Sequence, residues 1–450
     1  MTDRKHVVIV GGGFGGLNAA MSLKRAPVRV TLLDRTNHHL FQPLLYQVAT
    51  AGLSPADIAV PIRSVLSKQK NTRVLLAEAT GIDLEGKRLL LDKGELKYDY
   101  LVLAVGATHN YFGHDDWAKN ALGLKTLDEA LSIRERMLLA FEAAERATDP
   151  ELRKKLLTFV VIGGGPTGVE MAGAFSELAR HVLARDFRAI DPSSTRVVLV
   201  EAGKHVLTAF PDRLGTKAEE QLATLGVEVH KGEAVAHIDE SGIAFKDGTR
   251  LAASMVVWAA GVRGTEFARN LGVPADRGGR VIVGTDCSLP GHPEVFAIGD
   301  MAHMRDAEGV EVPGLCPAAI QQGHYVAKTI QADLDGKKRK PFKYLDKGTM
   351  ATVGRRRAIA KVGKLELSGV IAWLAWMAIH VFFLIGFHNR FVVMFNWAWQ
   401  YFTWKRGARL ITTHTYRDGQ QFLLKAAPDG PIPSARRISM PTNERSADSG

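Results

Sequence analysis

Two glycine-rich turns carry the residues in this chain best suited to chemistry. The first is Gly11-Gly12-Gly13-Phe14-Gly15-Gly16, after the apolar run Val7-Val8-Ile9-Val10. The second is Gly163-Gly164-Gly165-Pro166-Thr167-Gly168, after Phe159-Val160-Val161-Ile162. In both, glycines at G-x-G-x-x-G spacing (Gly11, Gly13 and Gly16; Gly163, Gly165 and Gly168) join a strand pattern to a helix pattern. The first glycine permits the tight turn, the second lets backbone approach a pyrophosphate, and the third lets helix and strand pack closely. The helix start adds free N–H groups and a positive dipole end. One such motif is weak evidence, whereas two in proper context predict two dinucleotides in one protein and electron transfer between them.

Each turn has an acidic partner. Residues 28–34 read as a strand ending on Asp34, and residues 196–201 as one ending on Glu201. The first offset is near the ~20 residues expected; the second is longer because residues 180–194 lengthen the intervening helix and loop. A carboxylate at a strand end accepts hydrogen bonds from a ribose and repels a 2′-phosphate. Asp34 is therefore read as holding the ribose of FAD, and Glu201 as selecting NADH over NADPH. The bland alternative for either acid is a solvated strand end.

These sites need two dinucleotide-binding units, and the 450 residues provide room for two or three domains. The expected fold is α/β, with two Rossmann-like domains in a glutathione-reductase-like arrangement. An FAD-binding domain spans 1–115 and resumes at 266–342, a helical connector spans 116–155, and an NADH-binding domain spans 156–265. The endings 100–108 and 255–262 are alike, each a strand followed by glycine, so the second unit reads as a reduced copy of the first. Residues 294–300 form a further strand closing on Gly299-Asp300, followed by a helix from near Ala318.

The C-terminal part differs in kind. Residues 370–387 carry no acidic or strongly basic side chain, and a second Phe- and Trp-rich run follows at 391–404. Arg355, Arg356, Arg357, Lys361 and Lys364 precede the pair, and Lys405, Arg406 and Arg409 follow it. The first run is marginal for a span and the second too short. Short helices with aromatic and basic rims predict an amphipathic hairpin lying in one leaflet, within a membrane-association segment at 343–415. A buried dimer interface and a true span are the alternatives. The tail, 416–450, is Pro-, Ser- and charge-rich from about Ala426 and reads as disordered.

A net charge of +11 suits an anionic membrane surface, and no nucleic-acid module accompanies it. Cys287 and Cys316 are far apart, which excludes a disulfide framework and a zinc site and fits a reducing compartment. The first strand begins near His6, leaving no room for a signal or transit peptide.

Together these residues resemble the type II NADH:quinone oxidoreductases, single-subunit flavoenzymes of respiratory membranes that do not pump protons. Besides the two turns, the resemblance rests on residues 38–49 (His-His-Leu-Phe-Gln-Pro-Leu-Leu-Tyr-Gln-Val-Ala), 296–300 and 344–351, and on the C-terminal hairpin. It implies FAD as cofactor, NADH as donor, a membrane quinone as acceptor, and a homodimer on the cytoplasmic face of a bacterial inner membrane. Ala107 and Thr108 would approach the FAD, Gly299 and Asp300 would meet its ribityl chain, and Glu170, Glu201 and Gly261 would serve the NADH side. Gln321 matches the last glutamine of the family's Ala-Gln-x-Ala-x-Gln motif, which the resemblance places beside the flavin and the quinone tunnel, and Lys347 a lysine near that tunnel; with Glu170 these are the catalytic candidates. No metal is implied. The first glutamine of that motif is Pro317 here, which leaves the acceptor less defined than the donor.

Rival functions fare worse. A thiol-disulfide reductase needs a cysteine pair near residue 40, where this chain has His-Leu-Phe-Gln-Pro. A sulfide:quinone reductase needs cysteines to carry sulfur, and a ferredoxin reductase would not explain the hairpin. A non-catalytic NADH-sensing flavoprotein shares every motif and is separated only by turnover. Glu170 as a helix-start acid, Gln321 and His380 as packed residues and Lys347 as a solvated one are the plain alternatives at those positions.

Overall fold

The apolar runs beside the glycine turns become the central strands of two parallel sheets. A computed structural model of the chain describes residues 4–404 and 406–411. The tail expected to be disordered lies outside the described residues.

The first sheet has six strands in the order Ser288–Leu289, His292–Ala297, Tyr100–Leu103, His6–Val10, Arg29–Asp34 and Thr72–Leu76. All but the first pair in parallel. Val7, Val8 and Ile9 are wholly buried, as a strand covered on both faces requires. The helices Phe14–Ser22 and Cys316–Leu334 lie against each other, and a Cβ on Gly323 would fall 2.3 Å from the Gly15 carbonyl oxygen. Small residues thus set how closely these two helices approach.

The second sheet runs Ala121–Gly123, Met255–Trp258, Thr158–Ile162, Arg196–Glu201 and Val227–Lys231, all parallel. Its last four strands repeat the order of 100–103, 6–10, 29–34 and 72–76 in the first. The reduced-copy reading of the two endings therefore holds at the level of strand order.

Two passages of chain between the sheets pair as an antiparallel ribbon, Ala107–His109 with Val262–Gly264. His109 Nε2 lies 2.8 Å from Glu129 Oε1, which ties the ribbon to the Leu127–Arg146 helix. That helix starts on a capping box in which Thr126 and Glu129 satisfy each other's backbone N–H groups.

The C-terminal segment begins with a three-stranded antiparallel sheet, Thr349–Gly354, Arg357–Val362 and Leu365–Ser368, which the sequence reading did not resolve. Its first strand presses on the Pro166–Glu177 helix; a Cβ on Gly173 would lie 1.7 Å from the Val353 carbonyl oxygen. Two helices follow, Gly369–Phe383 and Phe387–Thr403. The sequence reading put the break at 388–390. It falls at 384–386 instead, where Gly386 takes a φ of +91°. Arg390 then donates from Nε to the Leu384 carbonyl (2.7 Å) and Asn389 to the Ala56 carbonyl (3.0 Å), so these polar residues close the turn from inside the second helix. Among the described residues, no helix is long and apolar enough to cross a membrane.

Candidate active site

The two glycine turns have nearly the same backbone. Gly11 and Gly163 have φ values of +103° and +109°, and a Cβ on either would lie 2.3 Å from Ala104 O or 2.6 Å from Ala259 O. Added Cβ atoms on Gly16 and Gly168 would fall 1.9 and 1.8 Å from the carbonyl oxygens of Gly11 and Gly163. On Gly13 and Gly165 they would meet nothing within 4 Å. The outer glycines are thus forced by close protein contact, whereas the middle one faces open space. That is the cradle a pyrophosphate needs.

The acids are placed alike. Asp34 Oδ2 accepts from Gly12 N at 2.6 Å, and Glu201 Oε2 from Gly164 N at 2.5 Å. Their other oxygens take Thr36 N (2.7 Å) with Thr36 Oγ1 (2.8 Å), and Gly203 N (2.6 Å). A carboxylate has about four lone-pair sites, so each acid keeps capacity for ribose hydroxyls.

A cavity of about 1040 Å³ runs from the first turn toward the second domain and the hairpin. It exceeds the ~300–1,000 Å³ usual for ligand sites. Its lining includes Asp34 and Glu78 by the first turn, Lys125, Asp300 and Pro317, and, from the second unit and the C-terminal segment, Thr167, Glu170, Lys347, His380 and Phe383. Gly299 has a φ of +72° and donates its N–H to Gln322 Oε1 at 2.7 Å, which fixes the turn presenting Asp300. Lys125 Nζ is 3.7 Å from Asp300 Oδ2; the sequence reading missed this lysine, whose only local signal was a place before a capping box.

Glu170 stands where this cavity meets a smaller one, of about 110 Å³, walled by Tyr46, Trp373, Trp376, Trp397 and Tyr401. Burial raises its pKa to about 8, against a weak hydrogen bond from Thr352 N at 3.3 Å that favours ionisation. The Trp376 indole lies beside it without hydrogen-bond geometry. Glu170 is therefore a neutral acid at pH 7. His380 is held by Nδ1 on the Trp376 carbonyl (2.7 Å) and stacks on that indole, with burial lowering its pKa to about 4. Lys347 Nζ lies 5.5 Å from the centre of the Phe383 ring.

Four sequence candidates stand elsewhere. Gln321 gives both amide atoms to the Leu345 backbone, at 3.0 Å each, and so acts on the wall carrying Lys347. Ala107 and Thr108 begin the interdomain ribbon, while Val105 and Gly106 line the cavity. Gly261 borders Phe112 and accepts from Asn110 N at 3.1 Å, one residue before that ribbon.

Residues 5–323 match the pyridine nucleotide-disulphide oxidoreductase family, and 347–405 match the NDH2 C-terminal domain. The disulfide of that family name has no counterpart here, since Cys287 and Cys316 are both free. The type II NADH:quinone oxidoreductase Ndh of Mycobacterium tuberculosis is 49% identical over 91% of this chain and 90% of its own length. The Haemophilus influenzae enzyme of that name is 30% identical, covering 84% and 92%. Among solved structures, NDH2 from Plasmodium falciparum in complex with NADH superposes with a TM-score of 0.84 at 20% identity, over 91% of this chain and all of that one. The sulfide:quinone oxidoreductase of Aquifex aeolicus reaches a TM-score of 0.67 at 20% identity, covering 84% of this chain and 90% of that one. At 49% identity over nine tenths of both chains, the chain belongs to the type II NADH:quinone oxidoreductases.

Proposed function

We propose that FAD occupies the large cavity with its diphosphate on the first turn, that NADH binds the second turn, and that a membrane quinone enters at the hairpin. The overall reaction is transfer of two electrons from NADH to quinone, without proton pumping. The turns and acids being alike, the observation that carries the FAD assignment is the large cavity, which is lined by Gly11, Gly12, Gly13 and Asp34 of the first turn and not by the glycines or the acid of the second. Held by the first turn and Asp34, FAD would supply the two-electron carrier chemistry that links NADH to a quinone.

The chain's residues bind, orient and hold protons. Asp300 and Lys125 line the cavity, held by the Gly299 turn and the helix cap. Glu201 binds the NADH ribose and disfavours a 2′-phosphate. Glu170 keeps a proton in the wall between the two cavities. Gln321 positions Lys347 through Leu345, and Lys347 with His380 lines the cavity.

The hairpin supports docking to a membrane surface; that this is the cytoplasmic face of a bacterial inner membrane follows only from the resemblance. Ile371, Phe382, Phe391, Phe395 and Phe402 are exposed by 59% or more. The helices have 15 and 17 residues, short of the ~20 needed to span. Their inner side is pinned to the body by Trp397 Nε1 on Gln47 Oε1 (2.8 Å) and by Arg406 on the Thr50 carbonyl (2.9 Å). The outward aromatics are left for lipid, whereas of the basic flank Arg406 is buried against Thr50 and Glu177 and Arg409 pairs with Asp186.

The test is NADH oxidation at 340 nm with a short-chain quinone, NADPH in parallel, and identification of the flavin released by heat. Quinone-dependent turnover with NADH and release of FAD are expected. Flavin bleaching by NADH without quinone turnover would sink the assignment. Flotation with anionic vesicles checks the hairpin, and recovery of all protein at the bottom of the gradient would count against docking.

A further inference from the structure

Phosphate turns work by aiming peptide N–H groups outward, and a planar trans peptide points its C=O and N–H in opposite directions. Whatever holds the Gly12 carbonyl therefore aims the Gly13 N–H. In this protein the holder is a side chain: His39 Nδ1 lies 2.9 Å from Gly12 O. His39 is 1% exposed, and its ring stands edge-on to Phe14 with centroids 5.0 Å apart. A carbonyl oxygen only accepts, so Nδ1 must carry the proton. The Nε2 atom is buried without a hydrogen-bond partner among the described residues, which leaves no acceptor for a second proton. Burial lowers the imidazole pKa accordingly and keeps the ring neutral.

The second turn has the same clamp made differently. The Gly164 carbonyl accepts from the backbone N–H of Leu207 at 2.7 Å, with Leu207 in the left-handed region at φ +55°. Each turn is thus held twice: glycine N–H on the acid, glycine carbonyl on a donor from a neighbouring segment. Only in the first is that donor a side chain.

We propose that His39 is a positioning residue for the FAD diphosphate, its Nδ1–H fixing the Gly12–Gly13 peptide so that the Gly13 N–H faces the open cradle. The proposal rests on FAD occupying the first turn. It gives the His-His-Leu-Phe-Gln-Pro segment a binding role at a residue that does not itself touch the cofactor.

Two variants of the full-length protein separate the hydrogen bond from ring packing. His39→Phe keeps an aromatic ring against Phe14 and loses the donor, while His39→Asn loses the ring and keeps an N–H close to the Nδ1 position. FAD dissociation is measured by recovery of flavin fluorescence on dilution, and melting temperature is followed with and without added FAD. One hydrogen bond is worth about 0.5–1.5 kcal/mol, so His39→Phe is expected to weaken FAD binding by up to about tenfold. His39→Asn should stay within about threefold of the parent, and KM for NADH at saturating FAD should be unchanged in both. Undiminished FAD affinity in His39→Phe overturns the proposal, as does a larger loss in His39→Asn than in His39→Phe. If His39→Phe fails to fold, His39→Leu, which likewise lacks the donor, is held to the same criterion. If parent protein carries no FAD, the site assignment fails instead, and the 450 nm absorbance of the purified enzyme reports that separately.

Discussion

The two dinucleotide units share a turn, an acid and a strand order, yet they differ in what closes over them. The first turn opens into a cavity whose walls also come from residues 38–43, 125–128, 314–319, 347–350 and the first hairpin helix. Around the second turn, the contacts to the glycines and their acid come from its own unit, through Glu201, Gly203 and Leu207. Equal phosphate chemistry is thus combined with unequal enclosure. On the proposed reading, that separates a resident cofactor from a substrate that must leave after every turnover.

The largest effects should come from the turns themselves. Gly168→Val forces side-chain atoms into the Gly163 carbonyl and should lower kcat/KM for NADH by at least about a hundredfold, roughly 2.7 kcal/mol. Its flavin absorbance should persist. Gly16→Val should instead purify without flavin. If both variants lose flavin equally, the two turns are not independent and the contrast breaks.

A smaller effect is expected at the acids. Glu201→Gln keeps an oxygen for the Gly164 N–H but removes the charge facing a 2′-phosphate. The preference for NADH over NADPH should fall about tenfold, the equivalent of one lost charged contact. Asp34→Asn should leave that ratio unchanged and speed FAD loss instead. Parallel kinetics with both nucleotides and a flavin-retention assay decide between the sites.

Glu170 sharpens the comparison at the place where the units meet. An acid whose folded pKa is about 8 stays protonated in the native state while its unfolded counterpart ionises near 4.5. Its stabilising contribution is therefore complete below about pH 4.5 and is lost as pH rises toward 8. The melting temperature of Glu170→Gln should fall less than that of the parent between pH 5 and 8. Parallel curves would show that the carboxyl is already ionised in the folded protein.

The smallest change is expected at Lys347, which lies over the Phe383 ring. Lys347→Met should raise KM for quinone a few-fold, in line with ~0.5–1 kcal/mol for an exposed cation–π contact, and leave KM for NADH unchanged. A shift in the NADH value alone would move Lys347 to the donor side.

The glycine turns, the acids that follow them and the repeated strand endings were legible because each is a local pattern. Steric demands at Gly11, Gly16, Gly163 and Gly168 act within a few residues, or against the strand next in line. The short helices of the hairpin were legible for a similar reason, since length and apolar content are properties of a single segment. Their break was misplaced by a few residues because the turn is set by the conformation of Gly386 and by contacts from Arg390 and Asn389, not by where polar residues begin.

What only the tertiary structure decided is which distant residues share a wall. Gln321 was read as a cofactor or quinone contact from a motif match, yet its amide is committed to Leu345, a pairing of two segments that no spacing encodes. Lys125, placed before a capping box, and His39, inside the 38–49 segment, carried no local sign of the partners they meet. One gains its place from Asp300 and the other from Gly12, partners that approach only when a helix or a strand packs against the sheet. The raised pKa of Glu170 is also a tertiary property, because the same carboxyl on an exposed helix would be an ordinary solvated charge; it also stands beyond the first turn of its helix, not at the start where the plain alternative put it. By itself the sequence determined two phosphate turns, their acids and a greasy basic C-terminus, since local sterics and composition suffice for those. Enclosure, desolvation and long-range hydrogen bonding depend on neighbours brought from far along the chain, and those were settled only by the fold.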